Sequence, residues 1–421
     1  MTKAVKGTHD LFNESLRYQQ TIVGKARDWL EAAGAHEIAT PIFELTEVFE
    51  RGVGATTDIV QKEMFTFSDR GGRSLTLRPE GTAGVVRAYI EHGMKVWPQP
   101  VKLWYAGPMF RAERPQKGRQ RQFHQVGYEI LGSDSPLSDA EAVALSYRIL
   151  HDLGLRKMTL KLGSVGDLDD RRRYNDYLRQ TLQPRAGELS ADSQRRLESN
   201  PMRILDSKSE TDQAVLRELG VRPMLDFLGP EAAAHFEQVK TLLDELEIPY
   251  VVDPTIVRGL DYYARTSWEI HHDMLGAQSA LGGGGRYDGL SQLLGGPPTP
   301  GVGWALGIER VALAMEAEGL SPNPERPLDL YIAALDAAYL PLALQAALKL
   351  WPGLRVEYAL SPKRPAKAIR EAEKRRARYV AFIGEDEARQ GALTVKNVAS
   401  GEQETLSLEE VENWLKTGGH E

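Results

Sequence analysis

The stretch FRAERPQKGRQRQFHQVGYE, Phe110 to Glu129, gathers Arg111, Arg114, Lys117, Arg119 and Arg121 and then closes on an alternating run that ends in a carboxylate. Side chains alternate between the two faces of a strand, so Phe123, Gln125, Gly127 and Glu129 share one face and Val126, Tyr128 and Ile130 the other. The second face is apolar and suits a core. The first is polar and gapped by glycine. It suits either solvent or a small polar ligand that approaches at Gly127 and is hydrogen-bonded by Gln125 and Glu129. Upstream, VKLWYAGPMFRA reads as a second strand, so the basic loop joins an antiparallel hairpin. Arg111 ends the first strand, where a guanidinium can clamp a phosphate bidentately. The loop Arg114 to Gln120 has the basic, polar character needed to follow a nucleic-acid backbone, although a solvated hairpin tip has the same text.

Working outward, the chain has 421 residues and a formal net charge of -7. That length allows several domains with buried cores, and the charge means that a polyanion must be met by local basic patches. There is no cysteine, which excludes disulfides, thiolate zinc sites and a cysteine nucleophile. His9, His36, His92 and His124 show no metal-ligand spacing, so no dedicated metal site is expected. The start, MTKAVKGTHDLF, lacks the apolar stretch of a signal peptide, and no run of ~18 apolar residues occurs, so the expectation is a cytoplasmic protein away from membranes.

Upstream of the hairpin, Asn13 to Gly34 has helical periodicity, and MFTFSDRGGRSLTLRPEG reads as a second hairpin about Asp69 to Gly72. Downstream, a helix is expected to start on a capping box, Ser138 to Glu141, and to stop at Gly154. Strands broken by helices indicate an α+β fold with an antiparallel sheet. Residues of about 169–247 turn to charged helical text, an inserted helical module. The proline-rich SPNPERP, Ser321 to Pro327, marks a boundary between a first domain, 1–325, and a second, 327–421. The second reads as a small α/β domain whose last helix starts on the capping box Ser407 to Glu410.

Other text carries chemistry beside bland alternatives. TLRPEGT places Glu80 and Thr82 after a strand, where carboxylate and hydroxyl suit an ammonium group, with a helix N-cap by Thr82 the bland alternative. VRGLDYYARTSWEI joins Arg258 to Tyr262 and Tyr263, which suit a pocket or a core. Four glycines, Gly282 to Gly285, read as a loop, either an approach for a ligand or a flexible turn. GVGWALGIERV sets Arg310 in the opening turns of a helix, without dinucleotide-binding glycine spacing, and a Walker lysine motif is missing.

Taken together, these residues resemble the class II aminoacyl-tRNA synthetases, and among them the histidyl-tRNA synthetases, over essentially the whole chain. TPIFELTEVFERG is similar to motif 1, PMFRAERPQKGRQRQFHQVGYE to motif 2 and GWALGIERV to motif 3. VRGLDYYARTSWE and LGGGGRYDGL look like the two histidine-specific blocks, and KGTHDLF matches as well. The resemblance implies a histidine–tRNA ligase that forms histidyl-adenylate and pyrophosphate from L-histidine and ATP with Mg²⁺, then acylates the 3′ end of tRNA(His). It implies a class II catalytic domain with a helical insertion, an anticodon-binding domain and a homodimer through motif 1. Glu80, Thr82 and Gln125 would hold the α-ammonium, and Glu129 and Tyr262 would read the imidazole. Tyr263, Gly283 and Gly284 would close a histidine site that Gly81, Arg111 and Arg258 complete. Arg111, Glu113, Arg121 and Phe123 would surround ATP, with Arg310 near its γ-phosphate. Arg258 and Arg111 would be catalytic at the α-phosphate, while Arg114, Gln116, Lys117 and Arg119 would guide the tRNA acceptor end. Ala264, Arg265, Trp304 and Gly282 depart from the family pattern, which bears on pocket shape.

Overall fold

Helix α1 (Asn13–Ala32) buries Tyr18, Ile22, Ala26 and Leu30 at three-to-four spacing and ends ahead of Gly34, which takes a φ of +80°. The structure is a computed structural model, and it describes residues 2–417 except 55, 56, 58, 257–261, 277, 278 and 325. After α1 come β1 (His36–Glu37), β2 (Phe43–Leu45), α2 (Thr46–Val53), β3 (Thr66–Ser68) and β4 (Ser74–Leu77). Strands β2, β4 and β3 form a small antiparallel sheet. Its β3–β4 turn falls where expected, with Gly71 N–H donating to Asp69 Oδ1 at 2.8 Å and Gly72 at φ +79°.

Helix α3 (Thr82–Glu91) leads to the long hairpin of β5 (Val101–Phe110) and β6 (Gln122–Leu131), paired from Val101 opposite Leu131 to Phe110 opposite Gln122. Helix α4 (Pro136–Asp152) begins three residues before the expected capping box. Its N-cap is Ser135, which accepts from Leu137 N–H at 3.3 Å, and Pro136 pre-sets the first helical φ. Ser138 and Glu141 serve elsewhere: Ser138 bonds Ser133, and Glu141 accepts from the Tyr128 hydroxyl and pairs with Lys102.

Beyond β7 (Met158–Ser164) the chain turns helical as expected, through α5 (Leu168–Leu182), α6 (Ala191–Ser199), α7 (Glu210–Glu218) and α8 (Pro230–Glu245). It then re-enters the main sheet through β8 (Val251–Val252), β9 (Ala264–His272), β10 (Ala280–Arg286) and, after α9 (Leu290–Leu293), β11 (Gly301–Gly307), which runs into α10 (Ile308–Ala317). The sheet has eight strands in the order β1-β5-β6-β11-β10-β9-β7-β8, antiparallel except at its two edge pairs. One face carries the core of Trp104, Tyr128, Trp268 and Trp304 under α1, α4, α8 and α10. The other face, with α3 and a group of tyrosines, is left for the site.

The glycine run was expected to be a loop. It is instead β10, hydrogen-bonded on both sides. A Cβ on Gly284 would lie 2.2 Å from Gly303 O, and one on Gly285 would lie 2.5 Å from the Tyr263 ring. Glycine is here for close approach inside a packed sheet.

Residues Met1–Asn323 form one compact unit and Pro324–Glu421 another. In the second, β12 (Leu328–Ala334), α11 (Leu340–Leu350), β13 (Val356–Tyr358), α12 (Pro365–Lys374), β14 (Ala377–Ile383), α13 (Glu385–Gln390), β15 (Ala392–Asn397), β16 (Gln403–Ser407) and α14 (Leu408–Lys416) follow in turn. Its mixed sheet runs β13-β12-β14-β15-β16. The cap of α14 is the expected one, with Ser407 N–H donating to Glu410 at 2.9 Å.

Arg286, at the end of β10, is fully buried. It donates to Asp139 in the first turns of α4, to Ser133 O at 2.9 Å and to Asp288 at 3.0 Å, while His235 of α8 lies 3.2 Å from Asp139. Burial pushes the Asp139 carboxyl upward, but His235 and Arg286 outweigh it and hold it below the usual value. Its contribution is therefore present at neutral pH and lost as pH falls below the ordinary carboxylate range. Breaking a buried pair leaves a charge uncompensated. Asp139→Asn is expected to cost about 3–5 kcal/mol in urea unfolding, and a loss below ~1 kcal/mol would show that the pair does not tie sheet to helix.

Candidate active site

The open face of the main sheet holds a cavity of about 240 Å³. Its floor is β6, β10 and β11, and its walls come from the β4–α3 turn, the residues before β9, and the basic loop. The loop is a tight finger: Gln116 and Arg119 exchange backbone hydrogen bonds at 3.0 and 2.9 Å, and its base is tied by Arg111 N–H to Arg121 O at 2.9 Å.

Among the described residues, three guanidiniums converge on this cavity. Arg111 donates from Nε to Pro79 O at 2.9 Å, with its head 5.2 Å over the Phe123 ring. Arg119 pairs with Glu113 at 2.9 Å. Arg310, from the start of α10, donates to Gly118 O at 3.0 Å and Ala280 O at 2.9 Å. Burial first, then the neighbouring Arg119 and Arg111, hold Arg310 below its ordinary value. Such a set suits a polyanion with several phosphates. Phe123 offers a partly buried ring face between Arg111 and the sheet.

Across the cavity the chemistry changes. Glu80, 5% exposed, accepts from Thr82 and Ala83 N–H at 2.8 Å each, capping α3. The cap reading of this turn thus holds for Glu80 rather than for Thr82. Burial raises the Glu80 carboxyl, and the two backbone bonds oppose that. Thr82 Oγ1 donates to Glu129 at 2.7 Å. Among the described residues, Gln125 presents a buried side-chain carbonyl oxygen with no hydrogen-bond partner, an acceptor that a ligand donor could satisfy. Tyr262 and Tyr263, with ring centroids 4.8 Å apart, close the far end, and Gly283 lies on the floor.

Several expected residues sit elsewhere. Glu129 has no exposed surface and lies behind the wall, accepting from Thr82, from Tyr287 and, at 3.5 Å, from Tyr105. Gly127 does not leave room for a ligand, because a Cβ there would meet the Tyr105 ring at 2.3 Å. Gly81 is held to glycine by the same ring at 2.2 Å, and Gly284 faces the core. Arg121 turns away from the cavity, donating to Glu113 O and Lys6 O at 3.4 Å each, and Arg119 occupies the place expected of it. Of the loop residues assigned to tRNA, Arg114, Gln116 and Lys117 are exposed, as such a role requires. Arg258 lies outside the described residues.

The family described as histidyl-tRNA synthetase matches residues 7–311, and the anticodon-binding domain family matches residues 329–418. The chain is 64% identical over 413 residues to a histidine–tRNA ligase of Thermus thermophilus, covering 98% of each. The chain belongs to the histidyl-tRNA synthetase family. It is also 53% identical to the histidine–tRNA ligase of Deinococcus radiodurans, over 96% of this chain and 97% of that one. The crystal structure of the apo S. aureus histidyl-tRNA synthetase superposes with a TM-score of 0.82 at 38% identity, covering 99% of this chain and all of that one.

Within this histidyl-tRNA synthetase fold, the sequence reading passed over Tyr105, Tyr287, Glu269 and Glu309. Tyr105 stands directly opposite Gly127, and an aromatic side chain across from a glycine is the one signal that marked it. Glu309 accepts from both the backbone N–H and the Nδ1 of His124 at 2.9 Å, so it fastens β6 to α10. Among the described residues, no group of three or more His, Asp or Glu side chains is placed to hold a metal ion.

Glu129 is pushed up to about 8, chiefly by burial, against the bonds from Tyr287 and Thr82 that favour its ionised form. In the unfolded chain the same group titrates near 4.5. Between these values the folded state binds the extra proton, so this group's contribution to stability falls as pH rises. The thermal midpoint of Glu129→Gln minus that of the wild type is expected to climb from pH 5 to 8 and level off above. A pH-independent difference would show Glu129 ionised throughout.

Proposed function

We propose that this chain activates L-histidine with ATP and transfers it to the 3′ end of tRNA(His). The observation that carries the reading is the polarity of one cavity. Arg111, Arg119 and Arg310 converge on one side, while the unpartnered Gln125 oxygen stands with Glu80 and Thr82 on the other. A triphosphate fits the first set and an ammonium the second. The substrate carboxylate is then the nucleophile. It attacks the α-phosphorus and pyrophosphate leaves, so the enzyme's task is to orient the reactants and neutralise charge developing on the phosphoryl oxygens. In the second step a terminal ribose hydroxyl of the tRNA attacks the acyl carbon and AMP leaves.

On this reading Arg111 and Arg258 both act on the α-phosphate, Phe123 stacks on the base, and Arg310 and Arg119 hold the distal phosphates, with Glu113 orienting Arg119. Mg²⁺ arrives with the ATP phosphates. Tyr262 and Glu129 read the imidazole, Glu129 acting through the hydroxyl of Thr82, which lines the cavity and donates to it. Arg114, Gln116 and Lys117 meet the acceptor end. Residues 327–421 read the anticodon, where α12 offers a basic groove of Arg364, Lys367, Arg370 and Lys374. Lys363, just ahead of α12, is paired with Glu371 at 3.1 Å. A cytoplasmic location fits a chain in which no described helix is long and apolar enough to cross a membrane.

The test is histidine-dependent ATP–pyrophosphate exchange across the amino acids, with Arg258→Ala alongside. Exchange confined to histidine, and a drop of about 10²–10³ in kcat for the variant with little change in KM, is the expected result. Exchange with another amino acid would overturn the specificity.

A homodimer is also proposed, on the exposed apolar face of the β2–β4–β3 sheet. Phe43 and Phe67, 51% and 45% exposed, lie there with ring centroids 6.3 Å apart, beside Leu45. Such a patch marks a protein interface. The wild type is expected to sediment as a dimer, and Phe43→Glu with Phe67→Glu as a monomer with reduced charging. A fully active monomeric wild type would refute this.

A further inference from the structure

We propose that the N-terminal segment Lys6–His9 is a positioning clamp for the basic finger, setting where Arg119 stands in the ATP side of the cavity. The geometry begins where the sheet runs out. Strand β11 pairs with β6 only as far as Gly307 opposite Gln125, so the outward N–H groups of β6 before that point need other acceptors. His124 N–H finds the Glu309 carboxylate. Arg121 and Gln122 N–H both find one oxygen, the Gly7 carbonyl, at 2.7 and 3.2 Å.

Gly7 is the one buried residue among the first ten described, with φ at +89°. A Cβ there would lie 2.8 Å from Pro115 on the outgoing arm of the finger and 2.9 Å from Arg121 on the returning arm. It is wedged between the two. Thr8 N–H and Oγ1 both donate to Val5 O, at 2.9 and 2.8 Å, which fixes the turn that presents Gly7. Lys6 O accepts from Arg121, and His9 Nε2 lies 3.2 Å from Gln120 Oε1.

The finger has a locked tip, so it tilts as a unit. On the cavity side, Arg310 holds it at Gly118 O, and on the other side the clamp holds it at Gln120–Gln122. Arg310 is itself needed for phosphates, so the clamp is the support that substrate binding does not recruit. Gly7 and His9 touch no substrate and are positioning residues. Their effect falls on ATP and spares histidine, whose subsite is built by the β4–α3 turn, Gln125 and the tyrosines.

The inference rests on the ATP-site reading above, and the test separates the two. Pyrophosphate exchange and thermal midpoints are compared for the full-length wild type, Gly7→Ala, a chain starting at Leu11, His9→Ala and His9→Gln. Gly7→Ala is strained at its φ and collides with both arms. Gly7→Ala and the truncation are each expected to raise the KM for MgATP or lower kcat by about tenfold or more, since a misplacement near 1 Å can cost about 100-fold. The histidine KM stays within about twofold. His9→Gln, which keeps a donor, recovers most of what His9→Ala loses. ATP parameters within twofold of the wild type in both Gly7→Ala and the truncation would overturn the clamp. So would equal rises for ATP and histidine that track a fall in the thermal midpoint. Absence of exchange in the wild type would instead overturn the ATP-site reading.

Discussion

A carboxylate with no exposed surface, Glu129, sits at the centre of the main sheet, and what surrounds it is arranged to keep it there. A buried carboxyl is costly unless it is hydrogen-bonded or neutral, and both remedies are in use. Thr82 reaches it from the start of α3 and Tyr287 from the chain after β10, so one side chain draws together segments far apart in sequence. Gly303 on the adjacent strand must be glycine, since a Cβ would fall 1.7 Å from the carboxylate. Tyr105, in turn, needs Gly81 and Gly127 to clear its ring. This side of the cavity is thus a set of mutual exclusions in which bulky polar groups occupy spaces that glycines vacate.

The finger and the sheet solve different problems. In the sheet, positions are set by close packing, and a change of one methyl collides with a neighbour. In the finger, positions are set by hydrogen bonds made at the edge of β6, where pairing with β11 stops at Gln125. A finger that projects over an open cavity cannot be packed on all sides, and it is held by polar contacts instead, with Arg310 donating to its Gly118 O and its own Arg119 paired with Glu113.

Much of this was legible in the amino-acid text, for physical reasons. Period-two alternation gave β5 and β6 with their faces, and helical spacing gave α1, because one face of each is buried. The Glu80–Thr82 turn and Gln125 were legible as polar groups where a core would want apolar ones. The glycine run was not, because a residue without a side chain carries no periodicity, and its need for close approach appears only once β9 and β11 flank it. Arg119 and Arg121 were interchanged because strand alternation does not extend through a tight turn at Gln116–Arg119. The α4 cap was misplaced because Ser138 and Glu141 had a capping-box spacing but partners in space. Glu129 stood out in the sequence as a carboxylate closing an alternating run, while its enclosure by Thr82 and Tyr287 depended on contacts across 47 and 158 residues.

The strand order also bears on how the chain is made. Strands β5 and β6 are neighbours in sequence and can pair once Leu131 has been synthesised, yet the partner of β6 on its other side is β11, starting at Gly301. The gap is 301 minus 131, or 170 residues. At roughly 5–20 residues per second, the long edge of β6 waits about 10–35 s on the ribosome with its ladder unsatisfied. The intervening helices α5 to α7 bury much of their apolar surface against one another and can fold during that interval, whereas α8 and the sheet it covers cannot close. Nascent chains of this protein therefore spend their most aggregation-prone period with an open central strand, and it ends only when the chain reaches Gly307.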